Sequence, residues 1–437
     1  MSNYPTFVKN KLLSHIQNLA DLSWLYVKNP GKDFTRNRKL PFETVIEILL
    51  SMGGGTLSKE LYEFFDYDVN AASSSAFIQQ RDKILPDALR FLHHEFTQSF
   101  RGNKTYKGYR LLAVDGTALN IYHNPNDADT YFQSTPGSKG FSQLHLTALY
   151  DLKNKLYFDA CLEAKRKSCE TGAFTRMIDR STFKDMIIVM GDRGMESYNV
   201  FAHVEQKGWN YLIRVKDPDS NGILSALKLP SAEEFDQEIQ LTLTRKQTNK
   251  VKANPERYKF LPKHSPFDYL DLHANKFYPI SFRVVRVQVA ENCYQSFITN
   301  LPVFKFSGDV IRELYHLRWG IETSFRELKY AIGLTNFHAK KMAYIAQEVF
   351  ARLTMYNFCE IITLQVMIHQ KPQKHGYQVN FTMAIQVCLY FFKCYRHARP
   401  PNVEALIQKH ILPIRTGRKH PRNVRPKSFV SFNYRVN

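Results

Sequence analysis

The sequence predicts an α/β protein, with a mixed sheet flanked by helices and placed between helical N-terminal and C-terminal regions. Two observations predict the sheet. Three segments of strand-like composition follow residue 106, and patterns of helix, strand, helix and strand come next. The chain has 437 residues, 44% of them hydrophobic, which is enough for several structural units with substantial cores.

Residues 1–105 have the pattern of short helices joined by tight turns. PFETVIEILLSM has helical periodicity, SSSAFIQQRDKIL offers serine N-caps, and PDALRFLHHEFTQSF begins with proline in its first turn. These helices indicate either a DNA-binding region of helix-turn-helix type or a small bundle without a role in DNA binding. In the first interpretation four side chains point outward to read bases: Gln79, Gln80, Arg81 and Lys83.

Residues 106–216 are predicted to form the first part of the sheet. YRLLAVDGTALNI contains a strand-like run that ends at Asp115, and QLHLTALYDLKNKLYFDACLEA has the pattern of a hairpin. CETGAFTRMIDRS and ESYNVFAHVEQKG are predicted helices, and WNYLIRV is a predicted strand. DMIIVMGDRGM is a buried strand with Asp192 just past its end, so two aspartates each follow a buried strand.

The remaining chain divides into three further regions. Residues 217–280 are interpreted as a basic, strand-rich insertion, in which FDQEIQLTLTRKQ is a strand and KANPERYKFLPKHSPFDYL is irregular. Residues 281–340 are predicted to complete the sheet with a hairpin, ISFRVVRVQVAENCYQSFITNLP, and a helix. Residues 341–437 form a helical C-terminal region with a basic tail.

The segment YHLRWGIETSFRELK, residues 315–329, is predicted to be one helix with an unusual polar stripe. At about 100° per residue, four polar side chains share a stripe roughly 60° wide. They are Tyr315, Arg318, Glu322 and Lys329. A separate apolar flank is expected to anchor the helix. It consists of Leu314, Leu317, Ile321, Phe325 and Leu328.

The three carboxylates of Asp115, Asp192 and Glu322 are predicted to converge at one edge of the sheet. Like charges repel one another and burial adds to the cost, so the natural remedy is a divalent cation. Mg²⁺ prefers carboxylate oxygens and leaves positions open for water and phosphate. Two such ions can activate an attacking oxygen and stabilise a leaving oxygen at a phosphodiester.

Each of these residues also has a simpler interpretation. An aspartate after a strand is more often a turn or cap residue, and Arg318 and Glu322 at a spacing of four can form a surface ion pair. The combination of two strand-end aspartates, a helix glutamate and two cations is much harder to produce by accident. In the combined interpretation Arg318 and Lys329 bind the phosphates that flank the scissile one, and Tyr315 hydrogen-bonds to a phosphate or stacks.

The net charge of +20 favours a polyanionic partner, with nucleic acid first and an anionic membrane second. No amphipathic helix with a basic polar face stands out, which argues against membrane binding. The tail RTGRKHPRNVRPK, residues 415–427, is either a solvated tail or a contact to the DNA backbone. The six cysteines show no metal-binding spacing, and neither a signal peptide nor a membrane span is apparent, so we expect a reduced, cytoplasmic protein.

The sequence resembles a large group of bacterial insertion-sequence transposases with an RNase H-like DDE domain. Residues 315–329 match the signature Y-x2-R-x3-E-x6-K, AVDGT and MGDRG match the motifs of the two aspartates, and Glu322 matches the acid on the helix. The resemblance covers about residues 106–340, and extends more loosely to the helical N-terminal region and the R-K-x-P-R tail. The 130 residues from Asp192 to Glu322 leave room for the insertion that such transposases carry there.

The resemblance implies an RNase H-like fold and cut-and-paste movement of an insertion sequence. Two Mg²⁺ (or Mn²⁺) ions would be held by Asp115, Asp192 and Glu322. Four residues would contact DNA: Tyr315, Arg318, Lys329 and Arg193. The partners would be double-stranded DNA, as terminal inverted repeats and target, and a second copy of the chain in a homodimer on DNA. The protein would act in the bacterial cytoplasm in association with the nucleoid.

Two points remain open in the sequence. Some relatives form a DNA hairpin that a tryptophan of the insertion stabilises by stacking, whereas the tryptophans here lie outside residues 217–280. Four aromatic residues are candidates to replace it: Tyr258, Phe260, Phe277 and Tyr278. The alternative functions are a transposase-derived DNA-binding protein without catalysis, which the presence of all three acids disfavours, and a metal-dependent DNA nuclease without strand transfer.

Overall fold

The computed structural model describes residues 3–36, 38–133, 137, 140–273, 275–366, 376–394 and 400–414. Its first region is helical, as predicted, and side chains at helix starts satisfy free backbone amides. Ser73 Oγ, for example, accepts a hydrogen bond from the amide of Ala76. The helices are α1 (Tyr4–Asp21), α2 (Phe42–Ser51), α3 (Leu57–Phe64), α4 (Ser74–Arg81) and α5 (Asp87–Ser99).

The middle of the chain forms a large mixed sheet with interspersed helices. The strands are β1 (Arg110–Ile121), β2 (Tyr131–Phe132), β3 (Phe141–Asp151), β4 (Leu156–Ala164), β5 (Ile187–Gly191), β6 (Asn210–Val215), β7 (Phe235–Thr244), β8 (Tyr258–Phe260), β9 (Phe277–Ala290) and β10 (Cys293–Thr299). The helices between them are α6 (Glu170–Arg180), α7 (Tyr198–Gln206) and α8 (Asn249–Ala253). The segment predicted to be irregular, residues 252–270, therefore contains β8 and the last two residues of α8.

The strand order among the described residues is β3-β1-β5-β6-β10-β9-β7-β8, with β2 and β4 both paired to β3. β1 is antiparallel to β3 and parallel to β5, and β5 is parallel to β6. An antiparallel meander followed by two parallel strands confirms the RNase H-like sheet that the resemblance implies. β7 and β8, from the predicted insertion, extend this same sheet.

The last region supplies the helices that cover the sheet. Its elements are α9 (Gly308–His316), α10 (Trp319–Tyr330), α11 (Met342–Thr363), β11 (Tyr377–Val379), α12 (Phe381–Lys393), α13 (Val403–Lys409) and β12 (Ile411–Pro413). Helix α11 is buried along almost its whole length and packs against α1, α2, α5, α12 and β4. The N-terminal and C-terminal helices therefore share one core with the sheet. The basic tail at 415–427 lies outside the described residues.

The predicted single helix over residues 315–329 is two helices, α9 and α10, so that prediction is wrong. At the junction the backbone hydrogen bonds span three residues instead of four. The amide of Arg318 donates to the carbonyl of Tyr315, and the amide of Ile321 donates to the carbonyl of Arg318. Bonding of this kind is tighter than in an α-helix and interrupts the regular α-helical pattern. Leu317, expected on the anchoring flank, is 39% exposed at this junction.

Arg81 is a buried structural residue, so the prediction that it points outward to read bases is wrong. It is 1% exposed, and its guanidinium lies 2.9 Å from the carboxylate of Glu348 on α11. It also donates to Gln347 Oε1 at 3.1 Å and to the carbonyl of Tyr344 at 3.0 Å. A guanidinium needs such partners when it is buried, and they tie α4 to α11.

Base reading by the other three candidate residues stays a prediction. Gln79 is exposed, and Gln80 and Lys83 are half-buried. Lys83 Nζ donates to Gln80 Oε1 at 3.0 Å.

Among the described residues, no helix combines the length and the apolar composition needed to cross a lipid bilayer.

We expect Arg81→Ala to lower the free energy of unfolding by about 3–5 kcal/mol, because it leaves the buried carboxylate of Glu348 without its cation. Arg90→Ala is the matched control, since Arg90 pairs with Asp87 where both side chains are exposed; its loss should cost less than about 1 kcal/mol. Urea unfolding of the three proteins measures both values. Equal effects of the two substitutions would contradict the structural role of Arg81.

Candidate active site

Asp115 and Asp192 lie at neighbouring positions of two parallel strands, Asp115 within β1 and Asp192 just past the end of β5. Ala113 of β1 is level with Met190 of β5, and each aspartate follows two residues later in the chain. Asp192 follows β5 directly, as predicted. β1, however, continues to Ile121, so the prediction that the strand ends at Asp115 is wrong. The partner strand β3 pairs with β1 over its full length beyond Asp115 and prolongs it.

Arg318 brings the third acid to this edge of the sheet. Its Nη2 lies 2.8 Å from Glu322 Oε1, and its Nη1 lies 3.7 Å from Asp115 Oδ2. The residue is 5% exposed, so water screens these contacts little. One buried guanidinium therefore joins a carboxylate of the sheet to a carboxylate of α10.

The surroundings of Asp115 shift the pKa of its carboxyl group. Burial raises the pKa of Asp115 to about 6. The amide of Gly116 and the charge of Arg318 lower it, and the charges of Asp192 and Glu322 raise it further. Burial is therefore the main reason that the charged form of Asp115 is disfavoured, and Arg318 offsets it only in part.

The break between α9 and α10 places Arg318 where the chain passes between two cores. Ile311, Leu314 and Tyr315 belong to the core cluster that also contains Phe297 of β10. Ile321 of α10 belongs to the main core cluster instead. Arg318, at this junction, lies beside Asp115.

Tyr315 supports this arrangement from inside the protein. Tyr315 is 6% exposed, and the centroid of its ring lies 4.8 Å from that of Phe297. The Arg318 guanidinium lies 5.4 Å from the centroid of the Tyr315 ring. Its buried hydroxyl has no hydrogen-bond partner among the described residues. Tyr315 therefore contacts Arg318, and its contact with DNA stays a prediction.

The two remaining predicted DNA contacts also lie beside the aspartates. Arg193 is exposed and directly follows Asp192. Lys329 Nζ donates to the carbonyl of Ala118 on β1 at 2.9 Å, three residues beyond Asp115. Burial lowers the pKa of Lys329. The structure therefore brings the residues of the signature close to both aspartates. These signature residues lie on two helices and the junction between them, not on one helix.

The donor chemistry of the site suits a hard divalent cation. Asp115, Asp192 and Glu322 offer carboxylate oxygens, the ligands that Mg²⁺ and Mn²⁺ prefer. Within the described part of the chain, no three His, Cys, Asp or Glu side chains stand close enough together to hold a metal ion. Arg318 pairs with Glu322 and approaches Asp115, so a cation would have to displace the guanidinium from these acids.

Two further side chains approach the aspartates, and the sequence analysis missed them. A Cβ atom on Gly116, the neighbour of Asp115, would lie 2.3 Å from His145 Nε2 and 2.5 Å from Glu170 Oε1. The only sequence signal is the glycine after Asp115, which permits this close approach. Nothing in the local sequence indicates which side chains fill the space.

The family match decides the classification of the chain. The sequence model described as Transposase DDE domain matches residues 106–358, which is more than half of the chain. The chain belongs to this family. Its DDE domain contains the strand and helix elements that carry all three acids.

Comparison with other proteins adds one structural likeness. The chain is similar to the piggyBac transposase in the cryo-EM structure of its synaptic complex with hairpin DNA, with 9% sequence identity and a TM-score of 0.47. That alignment covers 90% of this chain and 80% of the other. No curated protein sequence matches the chain.

We expect Asp115→Asn to stabilise the metal-free protein at pH 7–8. The folded-state pKa of about 6 exceeds the unfolded value of about 4, so the wild type loses stability as the pH rises from about 4 to about 6, and this loss is complete at pH 7–8. The asparagine variant avoids this loss, which amounts to about 2–3 kcal/mol. Urea unfolding at pH 7.5 and at pH 3.5 measures the difference, which should disappear at pH 3.5. A variant less stable than the wild type at pH 7.5 would contradict the electrostatic account.

Proposed function

We propose that the chain is a DNA transposase that moves an insertion sequence by a cut-and-paste mechanism. The reaction is phosphodiester hydrolysis at terminal inverted repeats followed by strand transfer to target DNA. The observation that supports the proposal is the Arg318 guanidinium between Asp115 and Glu322, with Asp192 at the end of the neighbouring strand, inside a domain of the transposase DDE family.

The three acids would hold two Mg²⁺ or Mn²⁺ ions. When bound, such ions supply an activated oxygen nucleophile and stabilise the leaving oxygen. The protein's own contribution is the placement of the carboxylates, which two paired strands and α10 hold in position. Burial raises the pKa of Asp115 to about 6, and a bound cation would offset the cost of its buried charge.

Arg318 would exchange partners when DNA binds. In the structure it neutralises Glu322 and approaches Asp115. A guanidinium binds phosphate as readily as carboxylate, with two parallel hydrogen bonds. We infer that Arg318 turns to a backbone phosphate beside the scissile bond and leaves both acids available, while the Tyr315 ring remains packed beneath it.

The charge of the whole chain supports DNA as the partner. A net charge of +20 attracts a polyanion, and Arg193 and Lys329 add cations at the acids. The inverted repeats and the target would be held in a homodimer assembled on DNA, in the bacterial cytoplasm. Aromatic residues at the far end of the sheet remain candidates for stacking on a hairpin, because Phe277 is 51% exposed and its ring centroid lies 5.8 Å from that of Tyr258.

A strand-cleavage assay tests the proposal. The full chain is incubated with end-labelled DNA from the flank of its own gene, with Mg²⁺ or Mn²⁺. We expect a metal-dependent nick at the element boundary, absent in Glu322→Gln because that variant lacks the third carboxylate. Glu313→Gln is the matched control, an exposed glutamate on α9 that should leave cleavage unchanged.

The other outcomes are equally informative. Specific binding without a cut in either metal would favour the DNA-binding protein without catalysis. Cleavage without transfer of the freed 3′ end to target DNA would favour the nuclease. A nick that persists in Glu322→Gln would remove Glu322 from the site.

A further inference from the structure

A basic loop between α1 and α2, residues 28–39, lies outside the DNA-binding residues that the sequence predicts. Its sequence, KNPGKDFTRNRK, carries five cationic side chains and one acidic side chain. The acid is used within the loop, because Asp33 Oδ2 accepts hydrogen bonds from the backbone amide of Asn29 at 2.9 Å and from its side-chain Nδ2 at 3.2 Å. The loop therefore keeps an excess of positive charge.

Two of the five cations have partners, and three do not. Lys28 pairs with Asp82 at 3.0 Å, and Lys39 Nζ donates to the carbonyl of Asn70 at 2.7 Å. The other three are exposed, and their side chains form no hydrogen bond or ion pair with any residue that the structure describes. They are Lys32, Arg36 and Arg38. These three charges are available to a ligand.

The loop is fixed against the end of α4. The amide of Lys28 donates to the carbonyl of Lys83 at 2.9 Å, and the amide of Leu85 donates to the carbonyl of Tyr26 at 2.8 Å. These bonds belong to a short antiparallel bridge between Val27 and Ile84. Hydrogen bonds on both sides of the bridge hold the start of the loop to the turn that follows α4.

The ring of Phe34 anchors the middle of the loop. It packs against Phe42 of α2, with 5.4 Å between the ring centroids and an angle of 82° between the rings. The backbone of Phe34 is left-handed, with φ of 58°, which is unusual for a bulky residue. The contact with α2 holds Phe34 inward while the neighbouring Thr35 and Arg36 stay exposed.

The three unpaired cations share one polar cavity with the end of α4, which we call the basic pocket. Its volume is about 350 Å³, and among the described residues that line it none is acidic. Lys83 adds a fourth cation to the lining, with its Nζ 5.5 Å from the centroid of the Phe34 ring. Like charges around one cavity repel one another, and an anion between them removes that repulsion. The lining residues that carry the argument are Lys32, Arg36, Arg38, Gln80 and Lys83.

We propose that the basic pocket binds a backbone phosphate of duplex DNA and so positions the duplex against α4. A guanidinium binds phosphate through two parallel hydrogen bonds, and an ammonium group adds a point charge. Phosphate contacts set the position of a duplex, whereas contacts with base edges carry the sequence information. A phosphate held here would bring the duplex to the exposed side chain of Gln79 on α4. The proposal rests on the proposed function, because it takes DNA as the partner.

Fluorescence anisotropy of the full chain tests the proposal without any cleavage. Two labelled duplexes of equal length are compared over a range of salt concentrations in metal-free buffer, one from the flank of the chain's own gene and one of random sequence. Arg36→Ala and Arg38→Ala should each weaken binding about eightfold at about 0.1 M salt, since a lost phosphate contact forfeits the release of about 0.9 counterion. The loss should be the same for both duplexes, because a phosphate carries no sequence information.

The slope of log affinity against log salt gives a second readout. It should fall by about 0.9 in each alanine variant. Arg36→Lys keeps the charge and loses the planar fork, so it should bind with intermediate affinity and an unchanged slope.

Arg90→Ala is the matched control for net charge. Arg90 lies on α5 in the same helical region and pairs with Asp87 at 2.8 Å, outside the basic pocket. Its substitution removes one positive charge, as Arg36→Ala does, and should leave affinity and slope unchanged. Thermal unfolding of each variant accompanies the titrations.

Three results would overturn the proposal. Wild-type affinity and slope in both Arg36→Ala and Arg38→Ala remove DNA from the basic pocket. An equal loss in Arg90→Ala assigns the effect to net charge. A loss confined to the duplex from the gene flank assigns base reading, not phosphate binding, to these side chains.

The failure of the proposed function is distinguishable from each of these results. Wild-type chain that cuts the element boundary while the alanine variants bind normally leaves the proposed function standing without this inference. Wild-type chain that binds neither duplex removes DNA as the partner, and both proposals then fail together.

Discussion

The repulsion among three carboxylates at one sheet edge is the constraint on which the rest of this site depends. Asp115 and Asp192 are fixed by the pairing of β1 with β5, and Glu322 by the packing of α10. Without a positive charge between them, such a group would protonate or separate. Arg318 supplies that charge in the structure. We infer that metal ions and DNA phosphates divide this role when the protein acts.

The packing around α10 holds the third acid against this repulsion. Ser324 shares a hydrogen bond of 2.7 Å with the Tyr157 hydroxyl of β4, and Glu327 accepts one of 3.1 Å from the Tyr356 hydroxyl of α11. Buried polar contacts of this kind fix a single orientation of a helix, because a partly satisfied network is costly. The long buried helix α11 thus connects the N-terminal helices to the helix that carries Glu322.

The sequence predicted the local features well and the long-range ones poorly. The order of strands and helices follows from hydrophobic periodicity, and Asp192 after β5 follows from a short apolar run between turn residues. The length of β1 beyond Asp115 depends on pairing with β3, and the burial of Arg81 depends on Glu348, 267 residues away. The position of Glu170 likewise depends on α6 packing beside Gly116. No local pattern contains that information.

Crystals of the full chain with Mn²⁺ and a short duplex from the element end would test the central claim most directly. Anomalous scattering locates manganese without reference to activity. The account predicts manganese between Asp115, Asp192 and Glu322, with the Arg318 guanidinium moved from Glu322 to a DNA phosphate. Manganese bound elsewhere, or Arg318 still paired with Glu322 in the DNA complex, would contradict it.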